Sequence, residues 1–125
     1  ALMRAGLFVA EGVWGALGTA SLVPCAPEAA ELGRVPAADR VVVVVDSVIN
    51  TGRSIRRWLD ALGERRPRQR VVATLVGYRP TMAGLVADYP DVHFVTARLS
   101  DRSYVGKATT DTGSRLFGTE QWRLE

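Results

Sequence analysis

An α/β domain with a mainly parallel sheet flanked by helices is the fold class this sequence predicts, and three observations carry it. Val41 to Val45 are five consecutive valines closed by Asp46. An unbroken β-branched run of this kind reads as a strand covered on both faces, as in the middle of a parallel sheet. Next, Ile55, Trp58, Leu59 and Leu62 recur at i, i+3, i+4 and i+7, with Arg56, Arg57 and Glu64 facing out, which is the pattern of an amphipathic helix. Val71 to Val76 is a second apolar run, so residues 41–76 read as one strand–helix–strand unit with an expected right-handed crossover.

The other elements follow in order. Leu7 to Leu17 is a Gly-rich helix candidate, with Gly12, Gly15 and Gly18 spaced by threes and read as allowing close helix packing. A short strand is expected at Ser21 to Val23. The stretch Pro24 to Asp39, with Pro24, Pro27, Pro36 and Gly33, reads as loop or linker. After the valine strand, Ser47 to Ser54 reads as a polar loop, and the helix behind it ends near Gly63 and Pro67. A further helix is expected from Thr81 to about Ala87, stopped before Pro90, and a third strand from Val92 to Thr96. The tail from Tyr104 to Gly118 carries no strong periodicity. Trp14 and Trp58 fit helix packing, and Trp122 could cap the core or a subunit contact.

The 125 residues fit one domain, 1–125, with a single core. A hydrophobic fraction of 47% against 23% charged residues argues against disorder. One Cys excludes an internal disulfide, and one Cys with one His cannot build a Cys/His zinc site. His93 lies between Val92 and Phe94 in the third strand and reads as structural, not as a general base; Cys25, beside prolines, reads as an inert small hydrophobe. The apolar start, residues 1–17, is broken by Arg4 and Glu11, short of the ~20 residues a membrane span needs, and it lacks the form of a signal peptide. A cytoplasmic domain with no membrane partner is therefore expected. The net charge is +3, and Lys107 is the only lysine. Arg65, Arg66, Arg68 and Arg70 cluster around Pro67 without interleaved aromatics or a binding motif, so they read as a solvated helix end and loop; an Arg-rich nucleic-acid-binding module is the lesser reading.

Ligands of open α/β sheets bind beyond the carboxyl ends of the strands. Here the strongest strand ends at Asp46 and opens into Asn50, Thr51, Gly52, Arg53 and Ser54. That loop suits a phosphate, because the following helix offers unpaired N–H donors and a positive dipole end. Thr51 and Ser54 add hydroxyls, and Gly52 allows close backbone approach. Asp46, a few residues back, could accept hydrogen bonds from sugar hydroxyls or hold a hydrated Mg²⁺; in the plainer reading Thr51 is a helix N-cap and Asp46 a polar strand end. Walker A and dinucleotide glycine fingerprints are absent from the sequence.

Residues 41–54, from the valine run through Asp46-Ser47-Val48-Ile49-Asn50-Thr51-Gly52-Arg53-Ser54, resemble the phosphoribosyl pyrophosphate motif of the type I phosphoribosyltransferases. Two further segments narrow the resemblance to the uracil phosphoribosyltransferases. Leu2-Met3-Arg4-Ala5-Gly6-Leu7 is similar to that family's Leu-Arg-Ala-Gly-Leu segment, and Tyr104 followed by residues 111–119 is similar to its Gly-Asp-Ala-Gly-Asp-Arg-Leu-Phe-Gly-Thr signature. The resemblance implies a Rossmann-like, type I phosphoribosyltransferase fold. It covers the later part of the family's domain, whose members carry a long region before the Arg-Ala-Gly segment.

The same resemblance implies transfer of the phosphoribosyl group from phosphoribosyl pyrophosphate to uracil, giving UMP and pyrophosphate. Thr51, Gly52, Arg53 and Ser54 would hold the 5′-phosphate, with Asp46, Ser47 and Asn50 on the same substrate. Arg4 would bind the pyrophosphate, and Asp111 would contact the phosphoribosyl pyrophosphate together with Mg²⁺ that the substrate carries. Tyr104, Val105, Thr110, Asp111 and Thr112 would form the uracil site. No directly bound metal is implied, and the resemblance admits a homodimer. Pro27 stands where the family has a second pyrophosphate-binding Arg, and Thr110 where it has a glycine. These departures support the alternative of a non-catalytic nucleotide or sugar-phosphate-binding relative.

Overall fold

In a computed structural model that describes residues 1–26, 29–104 and 111–119, three strands pair in parallel in the order β1-β2-β3. They are β1 (Val41–Ile49), β2 (Gln69–Tyr78) and β3 (Val92–Ser100). Helix α2 (Arg53–Glu64) joins β1 to β2, and α3 (Arg79–Asp88) joins β2 to β3. Before the sheet come α1 (Gly6–Leu17) and a 3₁₀ helix at Ala29–Arg34; after it comes α4 (Thr112–Leu116). The α/β fold with a parallel sheet is thus present as the sequence predicts.

Periodicity explains where the core sits. Ile55, Trp58, Leu59 and Leu62, the apolar face of α2, are buried together with Val44 and Ile49 of β1, Val72 of β2, Val92 of β3, and Met82 and Leu85 of α3. Leu59, Leu62, Val72 and Leu85 are completely buried. Each such side chain contributes about 1.5–3 kcal/mol over its exposed state. Arg70 braces this layer: its guanidinium donates to the Leu59 carbonyl (2.7 Å) and pairs with Asp91. It is therefore no part of a solvated cluster, whereas Arg66 and Arg68 are exposed as expected.

Several boundaries differ from expectation for local reasons. β1 does not end at Asp46 but runs to Ile49, because Val48 and Ile49 still pair with Val76 and Gly77. The ladder passes over Ser47, whose carbonyl instead accepts from the buried Thr74 hydroxyl at 3.1 Å. Ser21 to Val23 is not a strand; pairing there is confined to a parallel bridge between Leu2 and Cys25. The expected loop 24–39 contains the short 3₁₀ helix. Within the tail, the Asp111 carboxylate accepts from the Ser114 N–H (2.8 Å) and so caps α4.

Gly12, Gly15 and Gly18 do not serve close packing, since a Cβ at each would meet nothing within 4 Å. Trp14 is not packed in the core either; it is 48% exposed, and its ring N–H donates to the Ala20 carbonyl (2.6 Å). Cys25 is buried, which pushes its thiol pKa up. His93 lies in β3 as expected, but its side chain is exposed. Trp122 lies outside the described residues, as do Pro27 and Glu28. Among the described residues no helix is long and apolar enough to cross a membrane.

Candidate functional site

The carboxyl end of β1 opens into a cleft of about 570 Å³ whose walls come from three distant parts of the chain. Met3, Arg4 and Ala5 supply one wall, Asp46, Ser47, Val48 and Asn50 a second, and Tyr104 with Asp111, Thr112 and Gly113 the third. Ala26 completes the lining.

A close helix–strand approach positions the first wall. α1 begins at Gly6, two residues after Arg4, and a Cβ there would lie 2.7 Å from the Val45 carbonyl oxygen and 3.2 Å from the Asp46 Cα. Only a residue without a side chain lets the helix start flush on β1 and bring Arg4 over Asp46's end of the strand. From that position the Arg4 guanidinium donates to the Asp111 carboxylate (3.1 Å), the Ser114 hydroxyl (2.9 Å) and the Thr119 hydroxyl (3.3 Å). These partners are more than a hundred residues away in sequence. The Phe8 and Phe117 rings, 5.1 Å apart, hold the same two segments together.

Asp46 is the most perturbed acid of the site. Burial pushes its pKa up to about 6, although the Ser47 and Val48 N–H groups and the Ala1 ammonium partly oppose the shift. The Ser47 N–H donates to its Oδ1 at 2.7 Å. At neutral pH most of the population is thus an anion in a poorly solvated place, able to accept further hydrogen bonds.

The turn into α2 depends on Gly52, which has φ +73° and is buried. A Cβ there would also come within 2.9 Å of the Thr81 methyl. Thr81 in turn donates its hydroxyl to the Asn50 carbonyl (2.6 Å), so α3 pins the loop. The Asn50 side-chain oxygen accepts from the Tyr104 N–H (3.1 Å), tying the loop to the third wall. The N-cap position of α2 is Gly52, not Thr51, and the Thr51 hydroxyl accepts only a long 3.5 Å bond from the Arg53 N–H.

Seven residues expected at the site from sequence therefore meet in one cleft: Arg4, Asp46, Ser47, Asn50, Tyr104, Asp111 and Thr112. Thr51, Gly52, Arg53 and Ser54 do not line it; they form the adjoining turn and first residues of α2. Val105 and Thr110 lie outside the described residues. Sequence reasoning missed Ala26 as a wall and Ser114 and Thr119 as partners of Arg4. The last two stood in the quoted signature 111–119, so their signal was present without a role attached.

Chemically, the cleft offers a guanidinium, a half-buried carboxylate in its lining, and a helix N-terminus beside it. That set suits a ligand carrying anionic groups and hydroxyls.

Comparison with known proteins agrees with this geometry. The family model described as uracil phosphoribosyltransferase matches residues 1–119. A protein named uracil phosphoribosyltransferase from Myxococcus xanthus (strain DK1622) is 37% identical over 93 residues, covering 70% of this chain and 44% of that protein. One of the same name from Polaromonas naphthalenivorans (strain CJ2) is 31% identical over 86 residues, 66% of this chain and 41% of that protein. Among solved structures, the AQ2163 protein from Aquifex aeolicus superposes with TM-score 0.71 at 17% identity, over 97% of this chain and 64% of that one; this likeness is one of fold. The matched part is less than half the length of either curated relative. The chain belongs to the uracil phosphoribosyltransferase family.

Proposed function

We propose that this chain carries the phosphoribosyl pyrophosphate and uracil sites of a cytoplasmic pyrimidine-salvage transferase that makes UMP and pyrophosphate. The observation behind this reading is the convergence of Arg4, Asp46, Asn50 and Asp111 on one cleft at the carboxyl end of β1. The substrate brings its own Mg²⁺, for which the Asp46 and Asp111 carboxylates are the nearby oxygen donors.

In this reaction a uracil ring nitrogen attacks the anomeric carbon, the bond to pyrophosphate breaks, and the nitrogen's proton passes to solvent. Asp46 accepts hydrogen bonds from the ribose hydroxyls and lies close to the positive charge that develops on the sugar. Thr51 to Ser54 and the first N–H groups of α2 hold the 5′-phosphate. Arg4 stabilises the departing pyrophosphate, which competes with Asp111 for the guanidinium. Val105, Thr110 and Thr112 read the base. Catalysis on these lines is positioning plus electrostatics and needs no nucleophilic side chain.

Calorimetric titration with Mg²⁺–phosphoribosyl pyrophosphate tests the reading, followed by an assay for UMP formed from labelled uracil. Binding on the order of micromolar is expected for the chain. Asp46→Asn should weaken it ~10-fold or more through loss of a charge-assisted contact. A folded chain that neither binds this substrate nor forms UMP would refute the reading.

A further inference from the structure

We propose that Ser114 is a positioning residue: from outside the cleft it fixes the direction of the Arg4 guanidinium, so that α4 serves the pyrophosphate end of the site as well as the base end. The inference rests on the reading that Arg4 meets the pyrophosphate. α4 has only five residues, too few to be held by its own hydrogen bonds, and it is fixed from both ends. At its start the Asp111 carboxylate accepts from the Ser114 N–H (2.8 Å). At its end the Gly118 N–H donates to the Arg115 carbonyl (3.3 Å) and the Thr119 N–H to the Ser114 carbonyl (2.8 Å), the paired closure of a Schellman motif. Ser114 is the residue that both caps share, so its side chain stands on a fixed frame.

The residues of this frame are also the partners of Arg4. Its Nη2 group donates to the Asp111 carboxylate and the Ser114 hydroxyl, and its Nη1 group to the Thr119 hydroxyl. The contact with Ser114, at 2.9 Å, is the shortest of the three. The acceptors differ in charge, and that difference divides their roles. Asp111 attracts the guanidinium but also offsets its charge, and an incoming pyrophosphate competes with it. A hydroxyl is neutral: it holds the direction of the guanidinium and leaves the positive charge for an anion.

Gly113 makes room for this arrangement. A Cβ there would lie 3.2 Å from the Arg4 Nε and 3.3 Å from the Arg4 Cβ, so the arginine side chain rests on the first turn of α4 along its length. The Arg4 Nε–H has no hydrogen-bond partner among the described residues. Arg4 and Gly113 both line the cleft, whereas Ser114 does not. An anion in the cleft therefore meets Arg4 directly and feels Ser114 only through it. Holding a long, flexible side chain in place beforehand spares the ligand the cost of ordering it.

The test uses chain 1–125 and four variants, Ser114→Ala, Ser114→Thr, Arg4→Ala and the double Arg4→Ala, Ser114→Ala, each checked for fold by its amide spectrum. In calorimetry with Mg²⁺–pyrophosphate, Ser114→Ala should weaken binding on the order of tenfold. Ser114→Thr keeps a hydroxyl and should bind as the unmodified chain does. In the Arg4→Ala background, Ser114→Ala should change nothing further. Ribose 5-phosphate, which carries no pyrophosphate, should bind Ser114→Ala as tightly as it binds the unmodified chain. NMR of the Arg4 side chain without ligand should show slow guanidinium rotation in the unmodified and Ser114→Thr chains and averaged signals in Ser114→Ala. Unchanged pyrophosphate affinity in Ser114→Ala, an equal loss with and without Arg4, or a parallel loss for ribose 5-phosphate overturns the inference. Binding of both ligands with Arg4 rotation alike in Ser114→Ala also sinks the inference alone. If the folded, unmodified chain binds neither ligand, the reading of the cleft itself fails and takes the inference with it.

Discussion

The two faces of the sheet are built very differently. On one, α2 and α3 bury Val72 completely, and Leu59, Leu62 and Leu85 are sealed beneath them. On the other, α1 lies mainly against β1, with Gly6 and Ala10 buried, while Leu75, Val95 and Leu99 remain 49%, 58% and 38% exposed. Parallel sheets are ordinarily covered on both faces. Here the second face is covered mainly along β1, and the candidate site lies there, at the end of the strand where α1 and α2 both begin. Partial burial there raises the Asp46 pKa, so the packing difference is also a difference in chemistry.

That contrast can be broken or sharpened in four steps. Leu59→Ala, in the sealed layer, should cost about 3 kcal/mol through lost burial and a residual cavity, read as a shift in denaturant midpoint at constant m. Gly52→Val should cost about 2–3 kcal/mol, from the positive φ and the Thr81 collision, and should abolish sugar-phosphate binding. Retained affinity in that variant would separate the loop from the site. Asp46→Asn acts in the opposite direction. Asp46's folded pKa of about 6 lies above its unfolded value, so its contribution to stability is complete below pH ~4 and is lost as pH rises through 6. The variant should therefore be ~2 kcal/mol more stable at pH 7 and indistinguishable at pH 4. In the same window, ligand affinity of the unmodified chain should fall as pH drops below 6. Smallest of all, Val95→Thr on the open face should change stability by less than ~0.5 kcal/mol. A loss as large as that of Leu59→Ala would mean that this face is covered in solution.

Much of this was legible in sequence because it is local. The valine run, the i, i+3, i+4, i+7 stripe of α2 and the glycine at the turn each express a backbone or burial preference within a dozen residues. Element ends were less legible. β1 outruns its valines because Val48 and Ile49 find partners in β2; both are β-branched strand formers, but the polar Asp46-Ser47 step before them reads as an end. The glycine spacing in α1 misled for the same reason: small residues permit close packing, yet what lies opposite them is decided elsewhere.

Sequence alone determined the α/β class and the three strands, and it singled out seven residues that line the cleft, since periodicity and motif are properties of short segments. Only the tertiary structure decided that Arg4 meets Asp111 and Ser114 and that burial pushes the Asp46 pKa up to about 6. Each of these depends on distance and solvent exclusion between segments far apart in the chain, quantities that exist only once the chain has folded.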